Sequence, residues 1–149
     1  MSEGNTSGTA KSGGCLCGAV RFTAVVGAWN VEACHCGMCR RWSAGPLLAV
    51  HCESVAIEDE SHLGVYRSSG WAERGFCRQC GTSLFYRLLD SPLYAVSAEA
   101  FDDGAGLSLE GQIFVDEKPT YYEFANVTKM MTGPEVFAAF QAAQNQAKG

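Results

Sequence analysis

Seven cysteines in three tight groups are the residues of this chain whose types and spacing could do chemistry: Cys15-Leu16-Cys17, Cys34-His35-Cys36-Gly37-Met38-Cys39 and Cys77-Arg78-Gln79-Cys80. An eighth, Cys52, stands apart. Thiolates are soft ligands suited to zinc. A C-x-x-C pair sets two sulfurs on one side of a tight turn, and Gly81, directly after Cys80, permits the backbone that such a turn needs. In a C-x-C pair on extended chain, residues i and i+2 share a face, so Cys15 and Cys17 can reach one ion together. The same alternation turns His35 away from Cys34 and Cys36, which makes it a neighbour of ligands rather than a ligand. Cys39 joins that pair through a second knuckle-like turn.

Counting gives four plus three. A structural zinc takes four protein ligands, whereas a working zinc keeps three and an open position. Cys15, Cys17, Cys77 and Cys80 can supply the first kind, and Cys34, Cys36 and Cys39 the second, although spacing alone leaves other pairings of the groups open. Disulfides or inert thiols are the competing readings; clustering argues against the second, and a reducing compartment against the first. Cys52 falls on the face of Leu48 and Val50, where a buried thiol is the default and a resolving thiol or a fourth ligand the alternative. His51 points the other way, and His62 lies among polar residues. Arg40 and Arg41 follow the last ligand of the triplet and could offset an anionic site or grip a substrate carboxylate; solvated surface charge is the plainer alternative. Arg74 and Arg78 flank the third group, where they stabilise thiolates or face solvent. Asp102 and Asp103 could orient a proton-transfer water, though a turn beside Gly104 explains them more cheaply.

These side chains need a scaffold. With 149 residues, 47% of them hydrophobic, the chain can bury a core, and we expect one domain over residues 14–149 after a disordered tail over residues 1–13. Strand character recurs at Ala19–Val25, Val31–Cys36, Leu47–His51, Ser54–Ile57, Gly64–Arg67, Ser83–Leu88, Leu93–Ala98 and Gln112–Val115. A short helical turn is expected over Gly37–Trp42. A C-terminal helix from Pro134, capped by Thr132 or Gly133, should pack Val136, Phe137, Phe140 and Ala143 into the core. The result is mainly β with a C-terminal helix. Eleven lysines and arginines against 16 aspartates and glutamates give a net charge of −5, which argues against nucleic acid as a partner. The absence of a signal-like apolar run points to the cytoplasm, and no stretch approaches the roughly 18 apolar residues of a spanning helix, so no membrane role is expected.

Gly14-Cys15-Leu16-Cys17-Gly18-Ala19-Val20, Cys34-His35-Cys36-Gly37-Met38-Cys39-Arg40-Arg41 and Trp71-Ala72-Glu73-Arg74-Gly75-Phe76-Cys77-Arg78-Gln79-Cys80-Gly81, in this order, resemble the glutathione-dependent formaldehyde-activating enzyme (Gfa) and CENP-V domain family. The likeness runs from about Gly13 to Phe124. It implies a β-tent fold of stacked antiparallel sheets with two zinc sites: structural at Cys15, Cys17, Cys77 and Cys80, and catalytic at Cys34, Cys36 and Cys39. Two positions depart from the pattern, Gln112 where His is frequent and Tyr121 where Trp is frequent. A zinc held by three thiolates has a formal charge of 2 − 3 = −1, a poor activator of water but able to deliver an incoming thiol as its thiolate. The expectation is a carbon–sulfur lyase or synthase that joins a small, glutathione-like thiol to an aldehyde such as formaldehyde, giving an S-hydroxymethyl adduct. Two rivals are a non-enzymatic zinc module for a protein partner and a thiol-redox protein using Cys36 and Cys39.

Overall fold

Period-two alternation builds most of the scaffold. In the strand Arg21–Cys34, Phe22, Ala24 and Val26 are buried while Arg21, Thr23 and Val25 are only partly covered. The structure, a computed structural model, describes residues 8–148. Its elements in chain order are β1 (Thr9–Gly14), β2 (Arg21–Cys34), α1 (Gly37–Ser43), β3 (Leu47–Ile57), β4 (Leu63–Arg67), β5 (Ala72–Cys77), β6 (Ser83–Leu88), β7 (Tyr94–Ser97), β8 (Ser108–Ile113), β9 (Lys129–Met131) and α2 (Gly133–Lys148). The class is mainly β with a C-terminal helix, as the sequence suggests. No helix among the described residues is long and apolar enough to cross a membrane.

Contacts divide the chain into two compact units, where composition alone suggests one domain. The first gathers residues up to Val31 with Leu48–Ser108. Its strands follow the order β4-β5-β6-β7-β3-β2, with β1 also on β2. The β1·β2, β3·β7, β4·β5, β5·β6 and β6·β7 pairs are antiparallel. Phe22, Leu84, Val20, Val26, Val50, Val96, Cys52 and Cys77 are among its fully buried side chains, and Phe22 meets Phe101 edge-on at 5.7 Å. Each large apolar chain so buried contributes roughly 1.5–3 kcal/mol. Along β4, β5 and β6, Gly64 faces Phe76 and Gly75 faces Phe85 across the ladder.

The second unit holds Glu32–Leu47 and the chain from Leu109 onward. β8 and β9 run parallel, with Gln112 opposite Met130, a departure from the all-antiparallel expectation. α1 begins at the N-cap Cys36, whose sulfur accepts from the Cys39 N–H at 3.4 Å, and ends at Ala44 in the left-handed region. α2 opens on a capping box: the Thr132 hydroxyl accepts from Glu135 N–H at 3.3 Å, and Glu135 accepts from Thr132 N–H at 2.8 Å.

Several expectations are corrected. Residues 9–14 form β1, so only part of the expected 1–13 tail is even open to question, and residues 1–7 lie outside the described residues. Small side chains sufficed there, because the ladder to β2 supplies the backbone partners and Gly13 lies against the Phe22 ring. Strand β2 runs through Gly27 without a break, and β3 is one strand where two were expected. On α2, Phe137 and Phe140 stay exposed, although core packing was expected; Phe137 rests edge-on against Phe114 at 5.8 Å.

Candidate metal centres

In the first unit, the sulfurs of Cys15, Cys17, Cys77 and Cys80 all lie within 4.8 Å of one another. Cys17 is 3.6 Å from Cys15 and 3.8 Å from Cys77. Four sulfurs about 2.3 Å from a tetrahedral centre stand about 3.8 Å apart, so the spacing suits one zinc-sized ion; a disulfide would need roughly 2.05 Å. Two turns present these sulfurs. In one, Gly18 adopts φ +84° and donates to Cys15 O at 3.2 Å, while Val20 N–H donates to Cys15 Sγ at 3.2 Å. In the other, Gly81 adopts φ +83° and donates to Cys77 O at 2.8 Å, while Gln79 and Cys80 N–H groups donate to Cys77 Sγ at 3.3 and 3.4 Å. Such donors favour thiolates.

Thr82 ties the two turns together. Its hydroxyl oxygen accepts from Leu16 N–H at 3.0 Å, which leaves its proton for Cys80 Sγ at 3.2 Å. That hydroxyl, aided by the Thr82 backbone, lowers the Cys80 thiol to about 5. At Cys17 the Ala19 backbone favours the thiolate, but burial and the neighbouring thiols of Cys15, Cys80 and Cys77 outweigh it and push the group up to about 11. Four sulfurs crowded together favour a bound cation when all are thiolates, and the donor set fits zinc.

In the second unit, the sulfurs of Cys34, Cys36 and Cys39 likewise lie within 4.8 Å of one another. Cys34 ends β2, Cys36 caps α1 and Cys39 sits buried in its first turn. Hydrogen bonds from the Cys34 and Cys39 thiols drop Cys36 to about 2. Hydrogen bonds with Cys36 and Cys39, together with burial, push Cys34 far above the ordinary thiol range. Three thiolates held this close again call for a dication. Among the described residues this group numbers three and the other four.

His35, which the sequence reading turned away from the sulfurs, is fully buried. Its Nδ1 lies 2.8 Å from Tyr122 Oη and its Nε2 2.9 Å from Gln112 Oε1, with Gln112 Nε2 donating to Thr128 Oγ1 at 3.0 Å. Burial first of all lowers its basicity, against the Gln112 hydrogen bond and with the Lys118 and Arg40 charges. Its ring stacks on Tyr122 at 5.5 Å and tilts against Phe124 at 5.9 Å. Burial raises the Tyr122 phenol.

The remaining predicted residues scatter. Arg40 is drawn inward, its Nε donating to His35 O at 2.8 Å, while Arg41 is exposed. Gly37 N–H donates to Glu117 Oε1 at 2.9 Å, a partner that spacing could not reveal. Cys52 belongs to neither sulfur group: it is buried in β3, its thiol donates to Val50 O at 3.6 Å, and burial pushes it up to about 12. Arg74 is buried with its guanidinium 5.0 Å from the Tyr86 ring centre, so it is no exposed thiolate partner, whereas Arg78 is exposed. Asp102 holds Arg21 through two hydrogen bonds, and Asp103 accepts from Ala105 N–H at 2.9 Å in a turn, so both carboxylates are spent on structure. His51, His62 and Tyr121 are exposed.

Comparison with known proteins gives consistent matches. The family described as glutathione-dependent formaldehyde-activating enzyme matches residues 10–117. A Schizosaccharomyces pombe protein named an uncharacterized lyase is 35% identical over 126 residues, covering 83% of this chain and 92% of that protein. A Halomonas elongata protein provisionally named a glutathione-dependent formaldehyde-activating enzyme is 28% identical over 83 residues, covering 49% of this chain and 53% of that one. A solved Rhodobacter sphaeroides structure shares the fold with TM-score 0.54 at 23% identity, covering 66% of this chain and 98% of that one.

Proposed function

The chain belongs to the glutathione-dependent formaldehyde-activating enzyme family, and from that premise we propose that it is a zinc-dependent carbon–sulfur lyase or synthase acting on a small, glutathione-like thiol and an aldehyde such as formaldehyde. The observation that carries this reading is that the chain holds a three-sulfur group, Cys34, Cys36 and Cys39, as well as a separate four-sulfur group. Cys15, Cys17, Cys77 and Cys80 would hold a structural zinc, and the triplet would hold a second, catalytic one. A zinc held by Cys34, Cys36 and Cys39 would supply Lewis acidity that lowers the pKa of an incoming thiol toward neutrality.

The chain's own groups do the rest. With a zinc bound, the sulfurs of Cys34, Cys36 and Cys39 would form an anionic wall of the site. Arg40, held to His35 O, brings a cation next to that wall, and Arg41 offers an exposed guanidinium to a substrate carboxylate. The buried His35 and Gln112 side chains, with the half-buried Tyr122, fix the loop that carries Cys34 and Cys36. In the synthetic direction a C–S bond forms at the carbonyl carbon and the thiol proton ends on the former carbonyl oxygen; the lyase direction reverses both. A net charge of −5 suits small-molecule partners, with neither nucleic acid nor membrane involved, and the cytoplasm would supply the reduced thiols. The two units, between which the chain passes at residues 31–32, 47–48 and 108–109, would serve as the single domain that the sequence suggests.

Magnetisation-transfer NMR tests this directly. Zinc-loaded protein should speed exchange between free formaldehyde and its glutathione adduct well beyond the buffer rate, and Cys39→Ser should abolish the acceleration while the fold survives. No acceleration by the loaded protein, or equal acceleration by the variant, would overturn the assignment.

A further inference from the structure

We propose that His35 is the positioning residue of the three-cysteine centre, locked as the neutral Nε2–H tautomer by Gln112 and Tyr122 so that Cys34 and Cys36 stay on one side of the chain. This rests on reading the triplet as a metal site, though not on any particular reaction there.

The argument starts from the number of anchors on this residue. His35 has four polar groups, and all four are engaged: its N–H donates to Ile113 O at 3.1 Å, its carbonyl accepts from Arg40 Nε at 2.8 Å, and both ring nitrogens have partners. The side chain is fully buried and Gln112 is 2% exposed, so water cannot replace a lost partner. Rotating the segment between Cys34 and Cys36 would break several hydrogen bonds at once, the buried one to Gln112 among them. For a C-x-C pair, whose two sulfurs share a face only while the middle residue stays extended, this anchoring is what keeps the pair convergent.

The direction of the hydrogen bonds follows from the far end of the chain. Gln112 uses its amide N–H toward Thr128 and turns its oxygen, which can only accept, toward His35 Nε2. Nε2 must therefore carry a proton. In the neutral ring Nδ1 is then an acceptor, and the Tyr122 O–H donates to it. Proton positions run in one sense, from Tyr122 through His35 and Gln112 to Thr128, and no member lacks a partner. Phe124 and the Tyr122 ring close the apolar surround.

The test has two arms that need no turnover. Long-range ¹⁵N–¹H NMR of the wild-type zinc-loaded protein should show His35 protonated at Nε2 and bare at Nδ1. Competition with a chromophoric chelator should then show that Gln112→Leu weakens one of two metal equivalents by about 10- to 100-fold, the usual cost of losing a residue that orients ligands. The second equivalent, at Cys15, Cys17, Cys77 and Cys80, serves as the internal control for folding and should be unchanged, and Gln112→Glu, which keeps an acceptor, should restore the first. A proton on Nδ1 in the wild type overturns the proposal whatever the variants do. So does unaltered affinity in Gln112→Leu, equal weakening of both equivalents, or failure of Gln112→Glu to restore affinity. If metal binding behaves as expected while adduct exchange is not accelerated, the proposed reaction fails and the positioning role stands.

Discussion

Cys52 and the seven clustered cysteines differ in what surrounds their sulfurs, and reactivity should follow. With its thiol raised to about 12 by burial and hydrogen-bonded to Val50 O, Cys52 has almost no thiolate near neutrality. The fold favours its neutral form. Its contribution to stability is therefore complete below the ordinary thiol value of 9.0 and is lost as pH climbs from there through about 12. Alkylation of the folded, zinc-loaded protein at pH 8, followed by peptide mass mapping, should leave Cys52 unlabelled until denaturant is added; labelling as fast as that of an unfolded peptide would contradict its burial. Much of this scale was legible in the sequence, since alternation alone put Cys52 among apolar neighbours and separated it from the clusters. His35 was legible only by half. Its direction away from the sulfurs follows from period two, but its partners Gln112 and Tyr122 lie 77 and 87 residues downstream, beyond any local pattern. Asp102 failed for the same reason, because its partner Arg21 is 81 residues away.

At the scale of elements, the strands that deliver the cysteines depend on close packing across ladders. A Cβ at Gly75 would stand 2.3 Å from the Phe85 ring, whereas one at Gly70 would meet nothing within 4 Å. Gly75→Ala should therefore cost about 1–3 kcal/mol by overpacking, with Gly70→Ala near neutral, as read from urea unfolding curves. Equal midpoints for the two variants would show that the ring yields freely. β6 and the turn after Cys36 were readable in outline because their alternation and cap chemistry are local. β1, β5 and β9 were not: Thr9–Gly14 has few apolar side chains, Ala72–Cys77 carries Glu73 and Arg74 within it, and Lys129–Met131 is three residues long. Each is a strand because a neighbour offers it a ladder. The exposed Phe137 and Phe140 make the converse point, since helical spacing records an apolar face without saying that anything covers it.

For the whole molecule, each compact unit carries one sulfur group, and the two should part with metal differently. The triplet, with fewer protein ligands, should release its ion to a chromophoric chelator first, and the four-cysteine group only as the first unit unfolds. Cys77→Ser should accordingly lower the melting temperature far more than Cys39→Ser. One-phase release, or equal melting temperatures, would contradict this division. Ligand counting and the family resemblance together made both groups legible, whereas the division of the chain into two units left no trace in composition or linkers. The four-cysteine group also has a meaning in the language of polymers. Cys17 and Cys77 stand 60 residues apart, and a metal that joins them closes a loop of that length in any chain that still holds it. By the entropy argument used for covalent cross-links, such a closure removes about 4 kcal/mol worth of freedom from the unfolded ensemble, and the Cys34–Cys39 loop about half as much. One group would thus clip together distant parts of the chain, while the other would tie only the short segment that carries it.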